Sequence, residues 1–88
     1  MITSQDSLQM ASAIRAARSS LDWSQHTLAV KAGISLPTVA RIEAGMINPK
    51  MATVGSIFRA LEDGGVSFNW TTAGVTYVMS VKLPKKHP

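Results

Sequence analysis

The run Gln25-His26-Thr27-Leu28-Ala29-Val30-Lys31-Ala32-Gly33-Ile34-Ser35-Leu36-Pro37-Thr38-Val39-Ala40-Arg41-Ile42-Glu43-Ala44 decides the fold. Ser24 stands just before it, where a hydroxyl can accept a free backbone N–H at a helix start. A short helix then runs to about Ala32 and turns Leu28, Ala29 and Ala32 inward. Gly33 follows, the residue that most readily takes a left-handed conformation at a helix C-terminus. Ile34 points inward, Ser35 caps a second helix from about Leu36 to Ala44, and Pro37 sits near its start, where a missing N–H costs nothing. Two helices joined this closely cross at about 90 to 120°. Such a corner demands a small residue at the closest approach, a glycine in the turn and apolar residues beneath. Ala29, Gly33 and the set Leu28, Ala32, Ile34, Val39 and Ile42 meet those demands together, and Gly45 ends the second helix.

Upstream, Leu8, Ala11, Ile14, Ala17 and Leu21 recur at three- and four-residue steps, which predicts a helix from about Gln5 to Ser20 with Arg15 and Arg18 nearby. Asp22 and Trp23 break it. Downstream, Met46 to Lys50 carries turn residues, and Val54, Ile57, Phe58 and Leu61 predict a helix from about Met51 to Glu62. After Gly64 and Gly65 the period changes to two. Val66, Phe68 and Trp70 alternate with polar residues, as do Val75, Tyr77, Met79 and Val81, with Thr71 to Gly74 as a hairpin turn between them. A lone hairpin is marginal in water, so it must pack on the helices or pair with a second copy. The tail from Leu83 to Pro88 is expected to fray. The expected division is 1–64 for the helices, 65–83 for the hairpin and 84–88 for the tail.

The 88 residues leave room for one small domain that buries only about 60% of its unfolded surface, and a composition 45% apolar and 16% charged is one that folds. Nine Lys and Arg against five Asp and Glu give a net charge of +4, which favours an anionic partner such as nucleic acid or a membrane surface. No apolar run reaches the length of a membrane span, and the first residues lack the pattern of a signal peptide, so a cytoplasmic protein without a membrane partner is expected. Cysteine is absent, and His26 and His87 are far apart, so neither a disulfide nor a metal site is expected. There is no Ser-His-Asp grouping, no phosphate-binding glycine loop and no metal-binding spacing of acids; an enzyme is not expected, and neither is a cofactor.

The segments Trp23-Ser24-Gln25, Leu28-Ala29, Ala32-Gly33-Ile34-Ser35 and Thr38-Val39-Ala40-Arg41-Ile42-Glu43-Ala44-Gly45 together resemble the lambda-repressor-like, Cro/C1-type (XRE) helix-turn-helix family, over about Ile14 to Leu61. That resemblance implies a mainly α, four- to five-helix domain whose third helix enters the DNA major groove, here with a C-terminal β-hairpin added outside the shared motif. It implies a regulator of double-stranded DNA, a repressor that binds a pseudo-palindromic operator as a homodimer. With the core positions removed, Leu36, Pro37, Thr38, Ala40 and Arg41 remain on the third helix. Arg41 is the main base reader, because guanidinium donates two hydrogen bonds to guanine. Leu36 and Pro37 stand where relatives often carry polar readers; they either touch thymine methyl groups or pack, and Ala40 beside them is a further base-reading candidate. Ser24, Gln25, Ser35, Thr38, Asn48 and Lys50 occupy the family's phosphate-contacting places; for Ser24 and Ser35 helix capping is the competing role. Lys31 reads as a solvated helix charge. Arg18 and Glu43 fall where the family joins its first and third helices by a partly buried ion pair.

The hairpin admits two readings. In the favoured one, strands of two subunits pair edge to edge and bury Val66, Phe68, Val75, Tyr77 and Met79. In the other, the chain is an antitoxin whose hairpin holds a toxin protein while the helix-turn-helix represses their shared operon. No ligand pocket or effector domain is legible.

Overall fold

A computed structural model of the chain describes residues 4–70 and 77–81, with side chains described over 8–68. The elements in chain order are α1 (Ser4–Ser20), α2 (Gln25–Ala32), α3 (Leu36–Glu43), α4 (Met51–Gly64), β1 (Val66–Trp70) and β2 (Tyr77–Val81). The fold is mainly α with a C-terminal antiparallel strand pair, as the periodicity predicts. The expected turn Thr71 to Gly74, the strand residue Val75 and the tail from Leu83 onward lie outside the described residues.

Each helix of the corner starts and stops for a local reason. Ser24 accepts a hydrogen bond from the Thr27 N–H at 3.0 Å, and Ser35 accepts one from the Thr38 N–H at 3.3 Å. The two serines therefore supply caps of one kind, Ser-x-x-Thr, to two consecutive helices. Gly33 ends α2 at φ 70°, its N–H directed at the Ala29 and Val30 carbonyls. A methyl group there would meet nothing within 4 Å, so the demand for glycine is conformational rather than steric. α1 ends differently, on Asp22 at φ 60°. A short polar side chain tolerates that region better than a bulky one.

One core joins all four helices to β1. Ile14, Leu28, Val39, Ile42, Ile57 and Leu61 are almost completely buried, together with Met10, Ala17, Phe58, Val66 and Phe68. Two expectations about this core change. Leu8, expected inside, is 57% exposed and lies over Gly45, while Met10 is buried in its stead. The reason is geometric: a three-residue step falls about 60° short of a full helical turn, so the run Leu8, Ala11, Ile14, Ala17 drifts around the helix. Met10, four residues before Ile14, stays on the inner face.

The second change concerns the hairpin. β1 pairs with β2 in the register Val66 to Val81, Phe68 to Met79 and Trp70 to Tyr77. β1 packs on α4 and β2 on α1. Val66 and Phe68, expected at a dimer interface, are buried against the chain's own helices, and Ser67 between them is exposed. The Phe68 ring meets Phe58 of α4 edge to face, centroids 4.6 Å apart. Alternation correctly marks which face is buried, but not whether the burying surface belongs to the same chain. Trp23 closes the other side of α4. A Cβ at Gly64 would come within 2.6 Å of its ring, so the indole packs directly on the glycine.

Candidate nucleic-acid interface

The interface is built on α3, which has two unlike faces. Val39, Ile42 and Glu43 point into the protein, whereas Leu36, Pro37 and Arg41 are exposed. Positions 36 and 40, and 37 and 41, are four residues apart, so these side chains form one contiguous outward stripe. Ala40 and Thr38 lie half-buried at its edge. The Arg41 guanidinium has no hydrogen-bond or ion-pair partner among the described residues, which leaves it able to face a ligand.

The inward face is locked by Glu43, whose carboxylate is 2% exposed. Arg18 of α1 donates from Nε to Oε2 at 2.7 Å and from Nη2 to Oε1 at 3.0 Å. This forked geometry suits guanidinium and carboxylate. The remaining Arg18 nitrogen, Nη1, donates to the Trp23 carbonyl at 2.8 Å. Gln25, at the start of α2, donates from Nε2 to Oε1 at 3.1 Å, and Arg15 donates from Nη1 to the Glu43 backbone carbonyl at 2.9 Å. A single carboxylate thus ties α1, the α1–α2 turn, α2 and α3 together. Among the described residues no buried side-chain polar atom is left without a partner. Arg15 and Gln25 are members of this cluster that residue spacing alone did not reveal. The available signal was the i, i+3 placement of Arg15 and Arg18 on one helix face.

The residues expected at phosphates divide by what they already do. Ser24 and Ser35 cap their helices, and each hydroxyl also lies near that of the threonine three residues on, 3.0 Å from Thr27 and 2.7 Å from Thr38. Gln25 uses one amide N–H on Glu43, which holds its side chain at the N-terminus of α2; its other N–H and its oxygen have no partner among the described residues. Asn48 and Lys50 are exposed between α3 and α4. Lys50 is the N-cap of α4 and provides no side-chain cap. The first turns of α2, α3 and α4 contain no acidic residue, so nothing offsets the partial positive charge at those helix starts.

Lys31 is not only a solvated charge: its Nζ stands 5.0 Å from the Trp23 ring centroid. Trp23 and Lys31, with Ala60, Asp63 and Gly64, line a shallow cavity of about 220 Å³ that includes no α3 residue. Among the described residues no three His, Cys, Asp or Glu side chains gather where they could hold a metal ion, and no helix is long and apolar enough to cross a membrane.

Compared with curated proteins, the chain has no significant match. A family model, HTH_3, described as helix-turn-helix, matches residues 14–62, which spans α2, the Gly33 turn and α3 as well as the Arg18 and Glu43 anchors. The chain belongs to this helix-turn-helix family, the Cro/C1-type or XRE family of DNA-binding transcription regulators.

Proposed function

We propose that the protein is a sequence-specific repressor that binds a pseudo-palindromic operator as a homodimer in the cytoplasm. The observation that carries the reading is Arg41, exposed and without a side-chain partner among the described residues, on the outward stripe of a helix whose other face is fixed by Glu43. Guanidinium held in that position donates to guanine O6 and N7, worth about 1 to 3 kcal/mol of discrimination. Phosphates on either side are met by Gln25, by the starts of α2 and α3, and by Lys50 with the uncapped N-terminus of α4. Repression requires nothing beyond occupancy of the operator.

Dimerisation follows from reach. Eight residues of α3 span about 12 Å at 1.5 Å per residue, enough for only a few base pairs. Two copies on one face of the duplex read half-sites about one helical turn apart. The copies meet at an edge of the β1–β2 pair, which among the described residues is a two-stranded sheet whose edge can accept a further strand. Tyr77 and Met79 lie on β2, whereas Val66 and Phe68 already serve the intrachain core. The antitoxin reading would route a toxin to the same hairpin edge, and co-purification separates the two.

Binding selection from random duplex DNA at near-physiological salt tests the proposal. A two-fold symmetric motif is the expected result. Salt-sensitive binding with no motif would overturn sequence-specific recognition, and co-purification of a second, stoichiometric protein would replace the homodimer with the antitoxin reading.

A further inference from the structure

Ahead of Arg41, the outward stripe of α3 offers no polar side chain for a base edge. Leu36 is 42% exposed and belongs to no part of the core, and Pro37 is exposed beside it. Exposure favours contact over packing, since neither residue belongs to the core cluster. Pro37 also lacks a backbone N–H. The Thr38 hydroxyl is 2.7 Å from the Ser35 hydroxyl, and Ala40 ends in a methyl. The first turn and a half of the reading face is therefore carbon, apart from the half-buried Thr38, whose hydroxyl is bonded to Ser35.

The methyl group that a major groove displays is the C5-methyl of thymine, set among hydrogen-bond donors and acceptors. We propose that Leu36 and Pro37 read a pyrimidine C5-methyl group, so that each half-site carries a thymine close to the guanine bound by Arg41. Residues 36 and 41 are separated by five helical steps, about 7.5 Å. At about 3.4 Å per base pair, the methyl and the guanine lie about two base pairs apart. Because the contact is to the methyl and not to the ring edge, 5-methylcytosine substitutes for thymine there and unmodified cytosine does not. This inference rests on the proposed function, which supplies the duplex and the orientation of α3.

The test uses the selected operator with deoxyuridine replacing thymidine one position at a time, titrated against the full chain and against a Leu36→Ala, Pro37→Ala double variant. Removing the methyl is expected to weaken wild-type binding about fourfold per half-site, the ratio for about 0.8 kcal/mol per buried methyl, and about sixteenfold when both half-sites are changed. With cytosine at that position, methylation at C5 recovers about fourfold per half-site. In the double variant the uracil penalty falls below about twofold while the guanine preference persists, and circular dichroism verifies that the variant is folded.

If uracil is neutral at every position while Arg41 still sets a guanine preference, methyl reading is overturned and DNA recognition stands. A uracil penalty that persists unchanged in the folded double variant assigns the methyl contact to other residues and also overturns the proposal. If the wild-type chain prefers no duplex sequence at all, the underlying function fails and the inference with it.

Discussion

Glu43 is a carboxylate taken almost wholly out of water, which a small domain tolerates only when the charge is paired and its lone pairs are used. Here Arg18 neutralises it and Gln25 completes its hydrogen bonding. Glu43→Ala strands the Arg18 guanidinium, itself only 18% exposed, and is expected to cost about 3 to 5 kcal/mol. With total stability of about 0.05 to 0.15 kcal/mol per residue, that is a large share. Thermal circular dichroism should show a melting temperature lowered by roughly 15 °C or more; an unchanged value would remove the pair from the account of α3 positioning. Two glycines give opposite expectations. Gly33→Ala places a Cβ at φ 70° and should cost about 1 to 2 kcal/mol. Gly55→Ala, inside α4 with open space around it, should instead raise the melting temperature by a few degrees through about 0.5 to 1 kcal/mol of helix propensity.

At the scale of elements, the helix-turn-helix was legible because its constraints are local. Ser24, Ser35 and Gly33 cap or end helices within four residues of themselves, so sequence neighbours carry the whole signal. Long-range partners were not legible from spacing. Gln25 and Arg15 have chemistry suited to solvent or phosphate, and only the crossing of α1, α2 and α3 brings both to Glu43. Likewise, alternation in β1 marks Val66 and Phe68 as buried without saying what buries them, and α4 does so through Phe58. Phe68→Ala removes a ring that is 8% exposed and should destabilise the isolated chain by about 3 to 5 kcal/mol. Denaturant melts over a range of protein concentrations check this. A loss that vanished at low concentration, where a dimer dissociates, would return Phe68 to the subunit interface.

Across the molecule, charge is arranged to keep acids off the reading surface. Among the residues whose side chains are described, Glu43 is paired, Glu62 and Asp63 close α4, Asp22 sits after α1, and α3 has no other acid. With a net charge of +4, the chain should associate with DNA faster and more tightly at low salt. Lys50→Ala is expected to weaken binding to all sequences alike and to reduce the slope of log affinity against log salt by about 0.9 per copy, nearly two for a dimer. Equal slopes for variant and wild type would take Lys50 off the phosphate backbone.

Arg41 separates reading from mere attraction, so the decisive comparison is the affinity of wild type and Arg41→Ala for a panel in which every operator base pair is changed in turn. Loss of preference at one guanine per half-site, by about 1 to 3 kcal/mol, with the other positions retaining theirs, is the expected result. Uniform weakening across the panel would make Arg41 a phosphate contact and contradict recognition of bases by this face of α3.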